Sequence, residues 1–223
     1  MKIKTIGSGS SGNCYILTTS QGKHLLLDAG LPIQEIKIGL NFDIANLEGC
    51  VVTHGHLDHV KSASKLEKMG IRVFRPYNIE QDILKTQIGS FAITSFPVPH
   101  NGTPNRAFII KADGETVLYL TDAEYCAYKL KSENITAMLV ECNYQADMIA
   151  ENDHREHICL GHTGLSTCRD FVAQNATDAL KTVLLIHASE SGCLNKGNAV
   201  KVVQEVVPKA HVFMATKGLT IEL

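Results

Sequence analysis

The stretch CVVTHGHLDHV, residues 50–60, decides how the rest of the chain is read. Cys50 to Val52 is a short apolar run of strand type that ends at Thr53, and the residues that follow deliver His54, His56, Asp58 and His59. Neutral imidazole nitrogen and carboxylate oxygen are the usual donors for zinc and similar divalent ions. A turn between a strand and a helix lets side chains one or two residues apart converge on one point. Asp58 also suits a helix N-cap, but a cap does not account for the histidines around it.

Working outward, other polar residues share one placement just past an apolar strand. His100 follows FPVP, Asp122 follows TVLYLT and His187 follows TVLLI. Taken singly, Asp122 reads equally as an N-cap, and the two histidines as satisfied strand-end side chains. Together they are candidate ligands, because strand ends deliver side chains to one rim of a sheet sandwich across long sequence separations. Asp28, closing HLLLD before AG, is a further strand-end candidate whose alternative is a turn-forming aspartate.

Strand-like runs recur at 2–6, 14–18, 24–28, 50–54, 71–74, 92–98, 107–111, 116–122, 137–142 and 182–187, with HVFM and LTIEL closing the chain. Apolar residues return at helical spacing over 58–69, 79–86, 123–131, 163–174 and 198–206. Strands grouped early and late with helices between them predict two packed sheets with helices outside, and residues 1–223 form a single domain without an internal linker. The longest stretch without periodicity, 142–162, reads as an irregular connection or lid.

Composition sets outer bounds. Hydrophobic residues at 44% and charged residues at 20% describe a globular chain with a sizeable core. The N-terminal segment is broken by Gly and Ser before any run reaches signal-peptide length, and no apolar stretch suits a membrane span. Seven scattered cysteines without a CxxC pair fit a reduced cytoplasm. A net charge of −2 gives no global attraction to a polyanion, so nucleic-acid binding would need a local basic patch or the metals themselves.

THGHLDH has the form HxHxDH and resembles the metallo-β-lactamase-fold superfamily, with Asp28, His54–His59, His100, Asp122 and His187 falling in the order of that superfamily's five motifs. The resemblance implies an α+β fold, a four-layer αββα sandwich with the site at one edge of the sheets. It also implies two divalent metal ions, zinc or manganese: His54, His56 and His100 on one, Asp58, His59 and His187 on the other, and Asp122 between them. GSGSSGNCYIL at 7–17, VECNYQADM at 140–148 and the Gly-His pair at 161–162 are similar to the YycJ/WalJ/VicX group of bacterial exonucleases. The chain departs from that group at Asn101, at Tyr144 and in GHTGLST.

The expected activity is therefore hydrolysis of a phosphodiester, with DNA or a small phosphodiester as substrate. Two metals about 3.5 to 4 Å apart can share a hydroxide and steady both oxygens of an in-line displacement. Asp58 would orient that nucleophile while holding its metal, and Asp28 would hold a ligand histidine. His162 is a candidate general acid, its alternative being a residue that merely precedes a helix. The glycine-rich loop GSGSSGN either is a plain hairpin or receives substrate phosphate at Ser10, Ser11 and Asn13. His154 and His157 read as a solvated loop rather than a further metal site. Two other readings stay open: a carboxyl ester, lactone or thioester hydrolase on the same centre, and a noncatalytic metal-stabilised binding module.

Overall fold

In the computed structural model, residues 1–149, 159–190 and 193–223 are described; His154 and His157 lie outside them. The first sheet has the order β13 (Thr220–Glu222), β1 (Lys2–Gly7), β2 (Cys14–Thr18), β3 (His24–Leu27), β4 (Leu47–Val51) and β5 (Val73–Phe74). The second runs β12 (His211–Met214), β11 (Thr182–Ile186), β10 (Ala137–Glu141), β9 (Glu115–Leu120), β8 (Asn105–Ala112), β7 (Phe91–Val98) and β6 (Leu84–Ile88). Each sheet changes once from antiparallel to parallel pairing. β3, β4 and β5 are parallel in the first, and β9 to β12 in the second.

Most strands are apolar on both faces because both faces are covered, as expected for parallel strands between layers. Alternation divides their side chains. Tyr15, Leu17, Leu25, Leu27, Tyr119, Leu139 and Leu184 point between the sheets and form the central core. Their neighbours Cys14, Ile16 and Leu26 face outward beneath α1 (Ile33–Gly39) and α3 (Ala63–Lys68). Across the sandwich, Met138, Val140, Val183 and Leu185 meet Cys168, Phe171 and Val172 of α4 (Leu165–Asn175) and Ala199 and Val203 of α5 (Lys196–Val206). Three apolar layers between four structural layers give the expected αββα sandwich. Each fully buried Leu, Ile or Phe contributes about 1.5–3 kcal/mol to holding it.

Helical spacing proved misleading where long-range partners take the backbone groups. The helix expected over 58–69 is two pieces, α2 (Leu57–Val60) and α3. Between them the Ser62 N–H donates to Ala29 O at 2.9 Å and its hydroxyl to Leu31 O at 2.6 Å, which diverts the turn. Residues 79–86 are not helical: the carbonyls of Ile79, Gln81 and Asp82 accept from the Arg106 guanidinium, and Leu84 onward joins β6. The stretch 123–131 is also irregular. There Ala123 N donates to Glu141, Glu124 N to Pro99 O and Leu130 N to Asn175, so no helical ladder forms. Conversely, α1 was not marked by the sequence periodicity.

This topology positions a site. The segments after β3, β4, β9, β10 and β11 emerge at one rim, where the C-terminal ends of parallel strands commonly carry ligands. Among the described residues, no helix is long and apolar enough to cross a membrane.

Candidate metal centre

Three rim residues adopt a left-handed backbone that turns the chain sharply as it leaves its strand: Asp28 at φ 57°, Asp122 at φ 50° and His187 at φ 50°. Such a conformation costs a non-glycine residue roughly 1 kcal/mol or more, and strain of this kind concentrates at functional sites. The same rim needs one glycine. A Cβ on Gly30 would lie 1.6 Å from the Asp58 carbonyl oxygen, so only a bare backbone lets β3's exit segment lie against α2. Asn13 N and Ala29 N close that contact through the carbonyls of Asp58 and His59, both at 2.8 Å.

His54, His56 and His100 offer nitrogens that all lie within 4.8 Å of one another. His54 Nε2 is 3.0 Å from His56 Nδ1, which is 3.3 Å from His100 Nε2. The opposite nitrogens fix the tautomers. His54 Nδ1 meets Thr53 Oγ1 at 3.0 Å, and His100 Nδ1 donates to Gly161 O at 2.6 Å. Lone pairs therefore converge. Burial, then the neighbouring His59, His100 and His56 against an opposing pull from Asp122, press the His54 pKa down to about 2, so it stays a neutral donor. His100 is lowered chiefly by burial.

Asp58, His59, Asp122 and His187 form the adjoining group under the same distance limit. His59 Nδ1 donates to Asp28 Oδ2 at 2.7 Å, leaving Nε2 pointed at Asp58 Oδ2 (3.3 Å) and Asp122 Oδ1 (3.4 Å). Asp122 faces both groups: Oδ1 is 3.5 Å from His187 Nδ1, and Oδ2 is 3.9 Å from His54 Nε2. Burial opposes ionisation of Asp122, but His187 and His59 outweigh it and hold the carboxyl well below its usual range. Asp58 is lowered too, the neighbouring His187 and His59 overriding its desolvation. For His187 burial alone would lower the pKa, yet Asp122, Asp58 and Glu141 push it up to about 10. His59 moves in the same direction against its burial, through Asp122 and Asp28.

These residues fit divalent cations on their own chemistry. Among the described residues, the buried His187 Nε2 has no hydrogen-bond partner, and Asp58 Oδ2 lies 3.7 Å away. His59 Nε2 faces two carboxylate oxygens, an arrangement of lone pairs against lone pairs that a proton or a cation must relieve. Nitrogen and carboxylate donors in this mixture suit a divalent metal ion.

Glu141, at the end of β10, is the residue that the sequence reading did not single out. Its Oε1 accepts from His162 Nδ1 and His187 Nδ1, each at 2.8 Å, and its Oε2 accepts from Ala123 N and Thr163 N. Four donors saturate the carboxylate, which makes it an anchor for two imidazoles rather than a ligand for a further ion. The signal was present: AMLVE ends in a charged residue as HLLLD ends in one. His162 stacks on His187 at a centroid distance of 5.2 Å. Burial disfavours its protonation, but Glu141 and then Asp122 raise its pKa.

The glycine-rich loop divides its residues. Buried Asn13 closes the loop by accepting from Gly9 N (2.9 Å) and donating to Gly9 O (3.1 Å), and its amide reaches His59 Nε2 at 3.1 Å. Ser11 is exposed and donates to Glu190 at 2.8 Å; Ser10 is exposed. Ser8, absent from the sequence-level candidates, accepts from Tyr15 OH (2.7 Å) and from the His187 backbone N–H (2.9 Å).

Residues 7–70, which include the glycine loop, Asp28 and the HxHxDH turn, match the family described as the metallo-beta-lactamase superfamily. The chain is 24% identical over 254 residues to exodeoxyribonuclease WalJ of Streptococcus pneumoniae, covering 99% of this chain and 91% of that protein. It is 23% identical over 220 residues to exodeoxyribonuclease YycJ of Bacillus anthracis, covering 85% and 83%. Among solved structures, the metallo-beta-lactamase fold protein YhfI from Bacillus subtilis superimposes with a TM-score of 0.75 at 20% identity, over 99% of this chain and 98% of that one.

Proposed function

We propose that this metallo-β-lactamase-fold chain acts as one hydrolase domain, a metal-dependent phosphodiesterase and most specifically a DNA exonuclease. The observation that carries the reading is Asp122, whose two carboxylate oxygens face separate donor groups, His54, His56 and His100 on one side and Asp58, His59 and His187 on the other. A site kept for stability alone has no need of two such groups. The similarity to two exodeoxyribonucleases favours nucleic acid as the substrate.

When bound, two divalent ions would supply Lewis acidity towards a phosphoryl oxygen and lower the pKa of water. The chain's own residues prepare the rest. Asp28 orients His59 directly, and Thr53, which donates to Asp28 and meets His54, extends the same control to the other group. Glu141 holds His162 through Nδ1. Glu141 and Asp122 raise the pKa of His162, which favours the protonated imidazole that a general acid needs. Asp58, a quarter exposed while the other acidic members are buried, faces the solvent side, where it can orient an incoming water.

The test is metal analysis of the purified protein followed by a panel of bis-p-nitrophenyl phosphate, 5′-phosphorylated DNA, RNA, lactones and thioesters. Metal-dependent release of mononucleotides from DNA supports the proposal. Turnover confined to lactones or thioesters would replace it with the carboxyl-ester reading, and metal binding without turnover on any substrate would leave a binding module.

A further inference from the structure

We propose that a phosphate of the substrate strand, beside the one being cut, is held in a basic groove on the glycine-loop side of the metal centre. This rests on the phosphodiesterase reading and says where the polyanion runs. The groove, about 440 Å³, is walled by residues 6–8, 11–12, 31–32 and 215–216 together with Lys61, Lys196, Lys217 and one acid, Glu35. Three exposed lysines thus reach one hollow in a chain whose net charge is −2.

The groove is contiguous with the centre. Gly12 in its wall precedes Asn13, whose amide lies 3.4 Å from the Asp58 carboxylate. Lys61 directly follows α2, the helix that carries Asp58 and His59. Lys196 is the first residue of α5, so that helix's positive end lies at the same opening.

The lysines are differently engaged. Lys217 is paired with Glu35 at 2.6 Å, whereas among the described residues Lys61 and Lys196 have no acidic partner within salt-bridge distance. Ser8 adds a donor. Both acceptor directions of its hydroxyl are used by Tyr15 and the His187 N–H, which leaves its own proton to give to an anion.

The opposite flank of the centre has the reverse character. A hollow of about 640 Å³ opens beside His100, and its rim carries the exposed acids Glu80 and Asp82. Arg106, the one Lys or Arg among the described residues that line it, is turned into the structure: its guanidinium serves the carbonyls of Ile79, Gln81, Asp82 and Ser95 and the Ser95 hydroxyl. A phosphate backbone gains nothing there. Proline, tyrosine and isoleucine faces (Pro99, Pro104, Tyr77, Ile79) make that side suitable for the uncharged part of a terminal nucleotide.

The experiment measures binding rather than cleavage, using fluorescence anisotropy of a labelled, 5′-phosphorylated single-stranded oligonucleotide with uncleavable phosphorothioate linkages and the protein as purified. Lys61→Ala/Lys196→Ala should weaken binding about tenfold at low salt and flatten the slope of log affinity against log salt by about 1.4, the loss of two lysine charges from single-strand phosphate at about 0.7 each. Lys85→Ala/Lys129→Ala, which removes the same charge at exposed positions elsewhere, should change affinity less than twofold. Glu190→Gln, beside Ser11, should tighten binding. Equal losses in the two lysine pairs, or none in the first with its thermal unfolding unchanged, would overturn the groove. Lysine-dependent binding by a protein that cuts no phosphodiester would instead leave the groove standing and defeat the proposed activity.

Discussion

Tyr119 and Asp28 stand on opposite sheets, and the phenol hydroxyl donates to the carboxylate at 2.5 Å in a setting that solvent does not reach. Asp28 also accepts from Thr53 N at 2.8 Å and holds His59 at 2.7 Å. The face-to-face packing of the sheets is thereby tied to the angle of one imidazole.

Tyr119→Phe keeps the ring, which packs edge-on against Tyr15 at 5.7 Å, and removes only the donor. Losing a hydrogen bond to a buried charged group should cost about 1.5–3 kcal/mol of stability, and loosening the partner of His59, a candidate ligand, should weaken metal binding by at least about tenfold. Chemical unfolding and metal titration read the two effects. Unchanged values in both would show that Asp28 does not depend on the second sheet.

Asp122→Asn should abolish hydrolysis in a folded protein. An amide carries no charge and coordinates a divalent ion weakly, so metal content should fall first at the group formed by Asp58, His59 and His187. Turnover, metal stoichiometry and thermal unfolding should be measured together. Near-normal turnover with two ions bound would remove Asp122 from its shared position.

His162→Ala and Glu141→Gln should separate by substrate. If His162 protonates the leaving oxygen, its loss should slow DNA cleavage by about 10²-fold or more and affect an activated nitrophenyl ester far less. Glu141→Gln also loosens His187, so it should depress both substrates and lower metal affinity. A matching loss on both substrates in His162→Ala points to a structural imidazole.

Chelation should lower thermal stability reversibly. A ligand that binds only the folded state stabilises it by about 2.7 kcal/mol when present at a hundred times its dissociation constant. For a chain of 223 residues that corresponds to a rise in Tm of roughly 5–10 °C. Scanning calorimetry of stripped and reloaded protein checks it; identical curves would mean that the folded state holds no ion.

Gly30→Ala tests the join between β3's exit and α2. The added methyl would meet the Asp58 carbonyl oxygen at 1.6 Å, and backbone on both sides leaves no flexible atom to yield. Expected results are a loss of several kcal/mol, as for a strained backbone contact in a packed region, and reduced metal content. A variant with wild-type Tm and metal content would show that the two segments can part without cost.

The ligand candidates were legible because their chemistry is local in sequence or marked by a strand end. His54, His56, Asp58 and His59 crowd one turn, while Asp122 and His187 close apolar runs. Glu141 closes one as well, but a single glutamate followed by cysteine carried no neighbouring donor to draw attention. Its importance comes from His162 and His187, tens of residues away. Helices were less legible for a related reason. Arg106 captures the carbonyls of Ile79, Gln81 and Asp82, and Asn175 and Glu141 take amides at 130 and 123, so tertiary partners replaced the ladder that apolar spacing suggested. The basic groove was hidden too, since Lys61, Lys196 and Lys217 are scattered and become neighbours only in the fold.

The pairing of β1 with β13 sets a schedule for the molecule's manufacture. Ile3 lies opposite Ile221 and Lys2 opposite Glu222, so β1 leaves the ribosome long before β13, the strand that fills its outer edge. At about 5–20 residues per second the interval is roughly 10 to 45 s. During that time the nascent first sheet has an open edge, the kind of surface on which other chains can grow. His187 is likewise a late arrival, made long after the HxHxDH turn. The candidate donor groups are consequently incomplete until His187 is made, and a chain stalled before it would carry the early histidines without that partner.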